Sequence, residues 1–194
     1  NLAQAVQALA EQNIDVANQI IASDLEVNAT EKYILDSAIK LIATQQPVAK
    51  DLRRIVTAIK ISSDLERMAD LSVDIAKVVV RIEDKNQPLT SSLSDIQQMA
   101  EITTHMIQES IRAYVNEDVQ SAYKMAKDDD KVDALYSKML KELFSFMAQN
   151  PDTINRVMMI CFVGRFIERI ADYATNIGEQ VVYLVKGELP ELNT

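Results

Sequence analysis

Apolar residues recur along most of this chain at alternating spacings of three and four positions, which is the pattern of amphipathic helices. The pattern covers six segments, approximately at positions 2–12, 15–44, 48–82, 93–116, 118–149 and 152–186. Pro47 and Pro151 separate segments, and Gly187 is suited to cap the last one. With only three glycines and four prolines, the chain has little turn chemistry for a β fold, so we predict an all-α protein. Because the pattern already includes the first residues, we expect the first helix to begin upstream of Asn1.

The two halves of the sequence repeat each other on either side of a polar linker at 83–92. A shift of 102 positions carries ERMAD at 66–70 onto ERIAD at 168–172, together with the apolar stripe around it. A shift of 105 positions carries the second segment onto the fifth. We therefore predict two tandem three-helix bundles related by internal duplication, at residues 1–88 and 89–194.

Each copy of the repeated motif places two carboxylates one helical turn apart on the same face. Like charges at that spacing repel each other by roughly 0.2–0.5 kcal/mol per pair. The pairs are Glu66 with Asp70 and Glu168 with Asp172, and Asp74 continues the first row. A multivalent cation bound between the carboxylates would offset this repulsion.

A second acidic row lies on the preceding helix of each half. Asp24 is about as far before the turn at 45–47 as the ERMAD motif is after it, and Asp129 is level with the ERIAD motif in the same way. If these helices are antiparallel neighbours, each half brings two acidic rows together at one height. Further polar residues on these faces are Asn28, Glu31 and Asp133.

Oxygen ligands held on two rigid helices favour a hard cation such as Mg²⁺, Mn²⁺, Ca²⁺ or iron. Zinc also accepts carboxylates, although its usual histidine and cysteine ligands are absent from these rows. Two alternatives stay open at this stage. The acidic rows could be ordinary solvated charge on a structural bundle, or they could hold the metal of a hydrolase that activates water.

Charge and composition exclude several other classes of function. The net charge of −9 and the lack of any lysine and arginine cluster argue against binding to nucleic acid. No apolar stretch is long enough to span a bilayer, so we predict no membrane insertion. The single cysteine, Cys161, suits a reducing cytoplasm and is expected to be a small buried residue. The single histidine, His105, is expected at the surface or at the boundary of the core rather than as a metal ligand.

Several motifs together resemble the PhoU family of bacterial phosphate-regulon regulators, over essentially the whole chain. They are ERMAD, ERIAD, DLEVN at 24–28, DDKVD at 129–133, QQPVAKDLRRIV and YLVKG. The resemblance implies two three-helix bundles and surface metal sites, often multinuclear, that hold iron or zinc. Carried over by position, the first site is Asp24, Asn28, Glu66, Asp70 and Asp74, and the second is Asp129, Asp133, Glu168 and Asp172.

The same resemblance implies a role without catalytic turnover. The protein would be a negative regulator of phosphate uptake and of the phosphate regulon. It would act as a cytoplasmic adaptor, often a homodimer, between the ATPase subunit of the phosphate ABC transporter and a PhoR-type sensor kinase. Its cofactors would be divalent or trivalent ions, with iron, zinc, manganese and magnesium as the candidates.

Overall fold

The computed structural model describes residues 1–82 and 92–192, and within these ranges the chain is all-α, as predicted. These two ranges contain seven α-helices and a 3-10 turn at Pro151–Thr153. The helices are α1 (Leu2–Glu11), α2 (Ile14–Gln45), α3 (Ala49–Arg81), α4 (Ser92–Asn116), α5 (Val119–Ala126), α6 (Asp129–Gln149) and α7 (Ile154–Lys186). Apart from Ser92, the predicted linker at 83–92 lies outside the described residues.

The predicted fifth helix is divided into α5 and α6, which is the main departure from the predicted helix boundaries. Asp118 begins α5 by accepting hydrogen bonds from the backbone N–H groups of Gln120 and Ser121. Three consecutive aspartates at 128–130 then start α6, because carboxylates favour the positive end of the helix dipole. The break spans only two residues, so it does not interrupt the apolar periodicity from which the segment was predicted.

Local chemistry explains where the long helices begin and end. The Asn13 side chain caps α2 by accepting a hydrogen bond from the Val16 backbone N–H at 3.1 Å. Gln46 ends α2 in a left-handed conformation with φ 48°, and Pro47 prevents the helix from continuing. Gly187 ends α7 at φ 81°, as its position in the sequence predicted.

The helices form two bundles, and each corresponds to one repeat of the sequence. In the first repeat α1, α2 and α3 pack together, and in the second repeat α4 and α7 pack with the broken pair α5 and α6. The third helices of the two repeats, α3 and α7, pack against each other and join the bundles. Arg53, near the start of α3, lies beside Gly187 at the end of α7, so the two helices run antiparallel.

One apolar core crosses both repeats, with α7 at its centre. Buried residues of α7 include Ile167, Ile170, Ala171, Ala174 and Ile177, all fully shielded from solvent. By contrast, α2 has 32 residues but buries only Ala17, Ile20 and Ala38. Of the two helices that supply acidic residues in the first repeat, α2 is therefore peripheral.

Candidate metal sites

The acidic residues of the first repeat converge between α2 and α3, at the height predicted from the turn. We define the first cluster as Asp24 and Glu31 on α2 with Glu66 and Asp70 on α3. Burial raises the pKa of Glu66, and the nearby charges of Asp70, Glu31 and Asp24 raise it further. Burial and then the charge of Asp24 raise the pKa of Asp70. These mutual effects show that carboxylates from both helices share one region of the surface.

The first cluster is open to solvent and has few compensating donors. Asn28 donates a hydrogen bond from its side-chain nitrogen to Asp24 Oδ2 at 3.1 Å. When both carboxyls are ionised, no described residue donates to the buried atom Asp24 Oδ1, although a protonated Asp70 could do so. Asp74 is paired with Lys77 on its own helix, at 2.9 Å between Oδ1 and Nζ. The structure therefore places Asp74 beside the cluster with a lysine partner.

The acidic residues of the second repeat converge between α6 and α7 in a more buried setting. We define the second cluster as Asp129 and Asp133 on α6 with Glu168 and Asp172 on α7. Asp129 is only 8% exposed, and burial raises its pKa to about 7. The neighbouring charges of Asp172, Asp133 and Glu168 act in the same direction. An acidic group held in this way gains strongly from any nearby positive charge.

Arg165 supplies the positive charge nearest to Glu168. Its guanidinium donates a hydrogen bond to Glu168 Oε1 from a position one turn earlier on α7. The other oxygen, Glu168 Oε2, is buried and receives no hydrogen bond from a described residue. Burial raises the pKa of Glu168 and Asp172, while the Arg165 charge opposes the rise at both residues.

The chemistry of both clusters fits a hard cation. Their side chains offer only oxygen donors, which suit magnesium, calcium, manganese or iron. When the clusters are fully ionised, three buried carboxylate oxygens have no hydrogen-bond donor among the described residues: Asp24 Oδ1, Asp129 Oδ1 and Glu168 Oε2. Buried polar atoms are rarely left in this state, and a bound cation would satisfy them. All three belong to the predicted ligand set.

The carboxylates are close, but they do not form a finished coordination shell. Within residues 1–82 and 92–192, no three histidine, cysteine, aspartate or glutamate side chains are already arranged to hold one ion. The structure thus brings the predicted residues together in two groups, and their role as ligands stays a prediction.

Sequence reasoning missed the part that Arg165 plays at the second cluster. The only signal was its position, three residues before Glu168, where the first repeat has Ser63 before Glu66. The expected locations of His105 and Cys161 are confirmed, since His105 is exposed and Cys161 is buried. None of the helices in the described part of the chain is both long and apolar enough to cross a membrane.

The sequence model of the PhoU domain matches this chain at residues 1–79 and again at 96–181. The chain belongs to the PhoU family. The resemblance inferred from the motifs is therefore confirmed. The two matched ranges also reflect the repeat, although they do not test the predicted boundary at 88.

Relatives match nearly the whole chain. A protein of Clostridium acetobutylicum named phosphate-specific transport system accessory protein PhoU homolog is 38% identical over 190 residues, 97% of this chain and 85% of its own length. The accessory protein PhoU of Edwardsiella tarda is 34% identical over 188 residues, covering 96% of this chain and 76% of that protein.

Solved structures of the PhoU family have the same architecture. The crystal structure of PhoU from Pseudomonas aeruginosa has a TM-score of 0.91 at 32% identity, covering 96% of this chain and 89% of that chain. The phosphate transport system regulatory protein PhoU from Streptococcus pneumoniae has a TM-score of 0.90 at 29% identity, covering 98% and 88%.

Proposed function

We propose that this protein is an accessory regulator of a phosphate-specific transport system, and that it binds metal ions at its two acidic clusters. In this role it restrains phosphate uptake and the phosphate regulon when phosphate is plentiful. It acts without catalytic turnover in the cytoplasm, as a homodimer. Its partners are the ATPase subunit of the phosphate ABC transporter and a PhoR-type sensor kinase.

The regulatory proposal rests on the relatives of this chain, which match it over nearly its whole length and share one functional description. The relatives described above are accessory proteins of phosphate-specific transport systems or regulatory proteins of phosphate transport. The acidic surface of the chain, with a net charge of −9, is also suited to partners with basic surfaces. The hydrolase alternative gains no support from these relatives.

A reporter of phosphate-regulon expression tests the regulatory proposal in cells. Deleting the gene should raise reporter expression when phosphate is abundant, and supplying the gene again should restore repression. Unchanged expression in the deletion strain would contradict the regulatory role.

The metal-binding proposal rests on the unsatisfied buried oxygens of the two clusters. A carboxylate that is buried without a donor loses the free energy of hydration, and a cation would restore much of it. Asp24 and Glu66 from neighbouring helices contribute to the first site, and Asp129 and Glu168 to the second. A bound Mn²⁺, Mg²⁺ or iron ion would supply positive charge that links the two helices of each pair.

Variants that remove carboxylates from one cluster at a time test metal binding directly. Glu66→Gln/Asp70→Asn removes two carboxylates from the first cluster, and Glu168→Gln/Asp172→Asn removes two from the second. A matched control, Asp36→Asn/Glu101→Gln, removes two exposed carboxylates elsewhere. Chelator-treated proteins are then titrated with Mn²⁺, and bound ions are counted by equilibrium dialysis and elemental analysis.

Each cluster variant should bind less Mn²⁺ than the parent protein, and the control should bind the same amount. Added Mn²⁺ should also raise the thermal midpoint of the parent protein, because a ligand that binds the folded state stabilises it. Equal metal content in all four proteins would show that the ligands lie elsewhere. The regulatory proposal would survive that result.

A further inference from the structure

The two clusters differ at three matched positions around their carboxylates, one of which is Asn28 of the first repeat against Asp133 of the second. The shift of 102 places Arg165 of the second repeat on Ser63 of the first, and the shift of 105 places Tyr136 on Glu31. Both clusters contain four carboxylates, but only the second has an arginine one turn before its ERIAD or ERMAD glutamate. The second cluster therefore has an arginine in direct contact with one of its carboxylates, whereas Arg67 and Lys77 act on Glu66 and Asp70 of the first cluster only through their charges.

Arg165 interacts with the second cluster through a direct contact. Its guanidinium donates to Glu168 Oε1, and its charge also acts on Asp172 and on the nearby Tyr136. The Arg165 side chain is 49% exposed, whereas the Glu168 side chain is only 12% exposed. Solvent therefore reaches about half of the arginine side chain, while most of the glutamate side chain is shielded.

Resting on the metal-binding role proposed above, we propose that Arg165 is a built-in competing cation that lowers the affinity of the second cluster for metal ions. Arg165 occupies Oε1 of Glu168 in the metal-free protein, so an ion can reach Oε2 but cannot be bound by both oxygens until the Arg165 contact is released. It also places a positive charge beside the incoming cation. Arg165 is therefore a positioning residue that sets the affinity of this cluster through Glu168.

Physical chemistry gives the sign and the size of the effect. A divalent cation and a guanidinium a few ångströms apart repel each other, and water only partly screens them because Arg165 is half exposed. The ion pair between Arg165 and Glu168 is partly exposed, so breaking it costs little free energy and the effect on metal affinity is moderate. Removing the arginine should therefore tighten ion binding by about threefold to tenfold, without abolishing or creating the site.

Exchanging the matched residues between the repeats tests this proposal in the full chain. The second cluster is isolated in a Glu66→Gln/Asp70→Asn background and given Arg165→Ser or Arg165→Lys. The first cluster is isolated in a Glu168→Gln/Asp172→Asn background and given Ser63→Arg. The Mn²⁺ dissociation constant of each protein is measured by equilibrium dialysis at low and high ionic strength, and circular dichroism checks the helical fold.

Arg165→Ser should lower the dissociation constant of the second cluster, and Ser63→Arg should raise that of the first cluster by a similar factor. Arg165→Lys keeps the charge and should stay within about twofold of its parent. Both effects should shrink at high ionic strength. Equal affinities for Arg165→Ser and its parent would overturn the competing role while leaving metal binding intact. Absence of Mn²⁺ binding in both backgrounds would overturn this inference and the metal-binding proposal together.

Discussion

The first and second clusters lie at matched positions of the two repeats, but their surroundings differ. Asp70 of the first cluster is exposed, and Asp24 is only partly buried. In the second cluster Asp129 is 8% exposed, and its pKa is raised to about 7. The three carboxylate positions that the clusters share therefore form an open acidic surface in one repeat and a partly desolvated one in the other.

The difference follows from the neighbours of each helix pair. In the second repeat α7 packs against α3, α4, α5 and α6, and α6 also packs against α4. In the first repeat α2 packs only on α1 and α3 among its main neighbours, and it buries three residues. Duplication thus fixes the positions of the carboxylates along the helices, and the packing of additional helices decides how strongly water is excluded from them.

Truncating matched core residues beside the clusters should give the largest difference between the repeats in the free energy of unfolding. Ile167 is fully buried, and the equivalent residue Leu65 is only partly buried. Ile167→Ala should lower the free energy of unfolding by about 2–5 kcal/mol, because it removes buried methylene groups and leaves a cavity. Leu65→Ala should cost about 1–2 kcal/mol. Urea denaturation at neutral pH measures both values.

Equal losses for Ile167→Ala and Leu65→Ala would show that the two repeats are packed alike. Unequal packing could then no longer account for the different electrostatics of the two clusters.

Protonation of Asp129 should give the next largest effect. In the unfolded chain its pKa is about 3.9, whereas in the folded metal-free protein it is about 7. Between these values the folded state holds a proton that the unfolded state has released. The free energy of unfolding should therefore fall as the pH rises from about 4 to about 7. Asp129→Asn removes this loss and should stabilise the metal-free protein at pH 8 by about 1–3 kcal/mol.

The matched control is Asp24→Asn. The Asp24 carboxyl is less buried than that of Asp129, so its replacement should stabilise the folded protein less. Denaturation curves from pH 4 to pH 8, recorded with a chelator present, measure the two profiles. A similar gain for both variants at pH 8 would contradict the difference in burial between the clusters.

Ion pairs between the repeats should make the smallest contribution to the stability of the folded protein. Glu117, at the end of α4, binds Lys50 and Arg54 of α3, with oxygen-to-nitrogen distances of 2.7 Å and 2.5 Å. Hydrogen bonds from Lys50 and Arg54 lower the pKa of Glu117, so the stabilisation is present at neutral pH and is lost as the pH falls through this lowered pKa. Glu117→Gln should lower the thermal midpoint slightly at low salt and at neutral pH.

This small effect should disappear at high salt, because solvent-exposed charges are screened. At roughly 1 M salt the Debye length is only about 3 Å. A decrease in the thermal midpoint of Glu117→Gln that persists under this condition would show that Glu117 joins the repeats by more than its charge.

The sequence was sufficient to predict most helices, the repeat and the two groups of acidic residues. Periodicity and breakers located α2, α3 and α7 to within a few residues, because long amphipathic helices carry a strong and redundant signal. The prediction from the sequence missed the break between α5 and α6, because two residues are too few to interrupt the apolar periodicity. It also missed Arg165, because an arginine three positions from a glutamate is common on any helix.

Which residues share a helical face follows from the amino-acid order alone, because it depends only on the 3.6-residue period. The sequence motifs also determined the PhoU family. The burial of Asp129, the openness of the first cluster and the contact of Arg165 with Glu168 became visible in the folded structure. Burial depends on which helices pack around a residue, and helices from distant parts of the chain supply that packing. Two nearly identical motifs could therefore acquire different electrostatic environments.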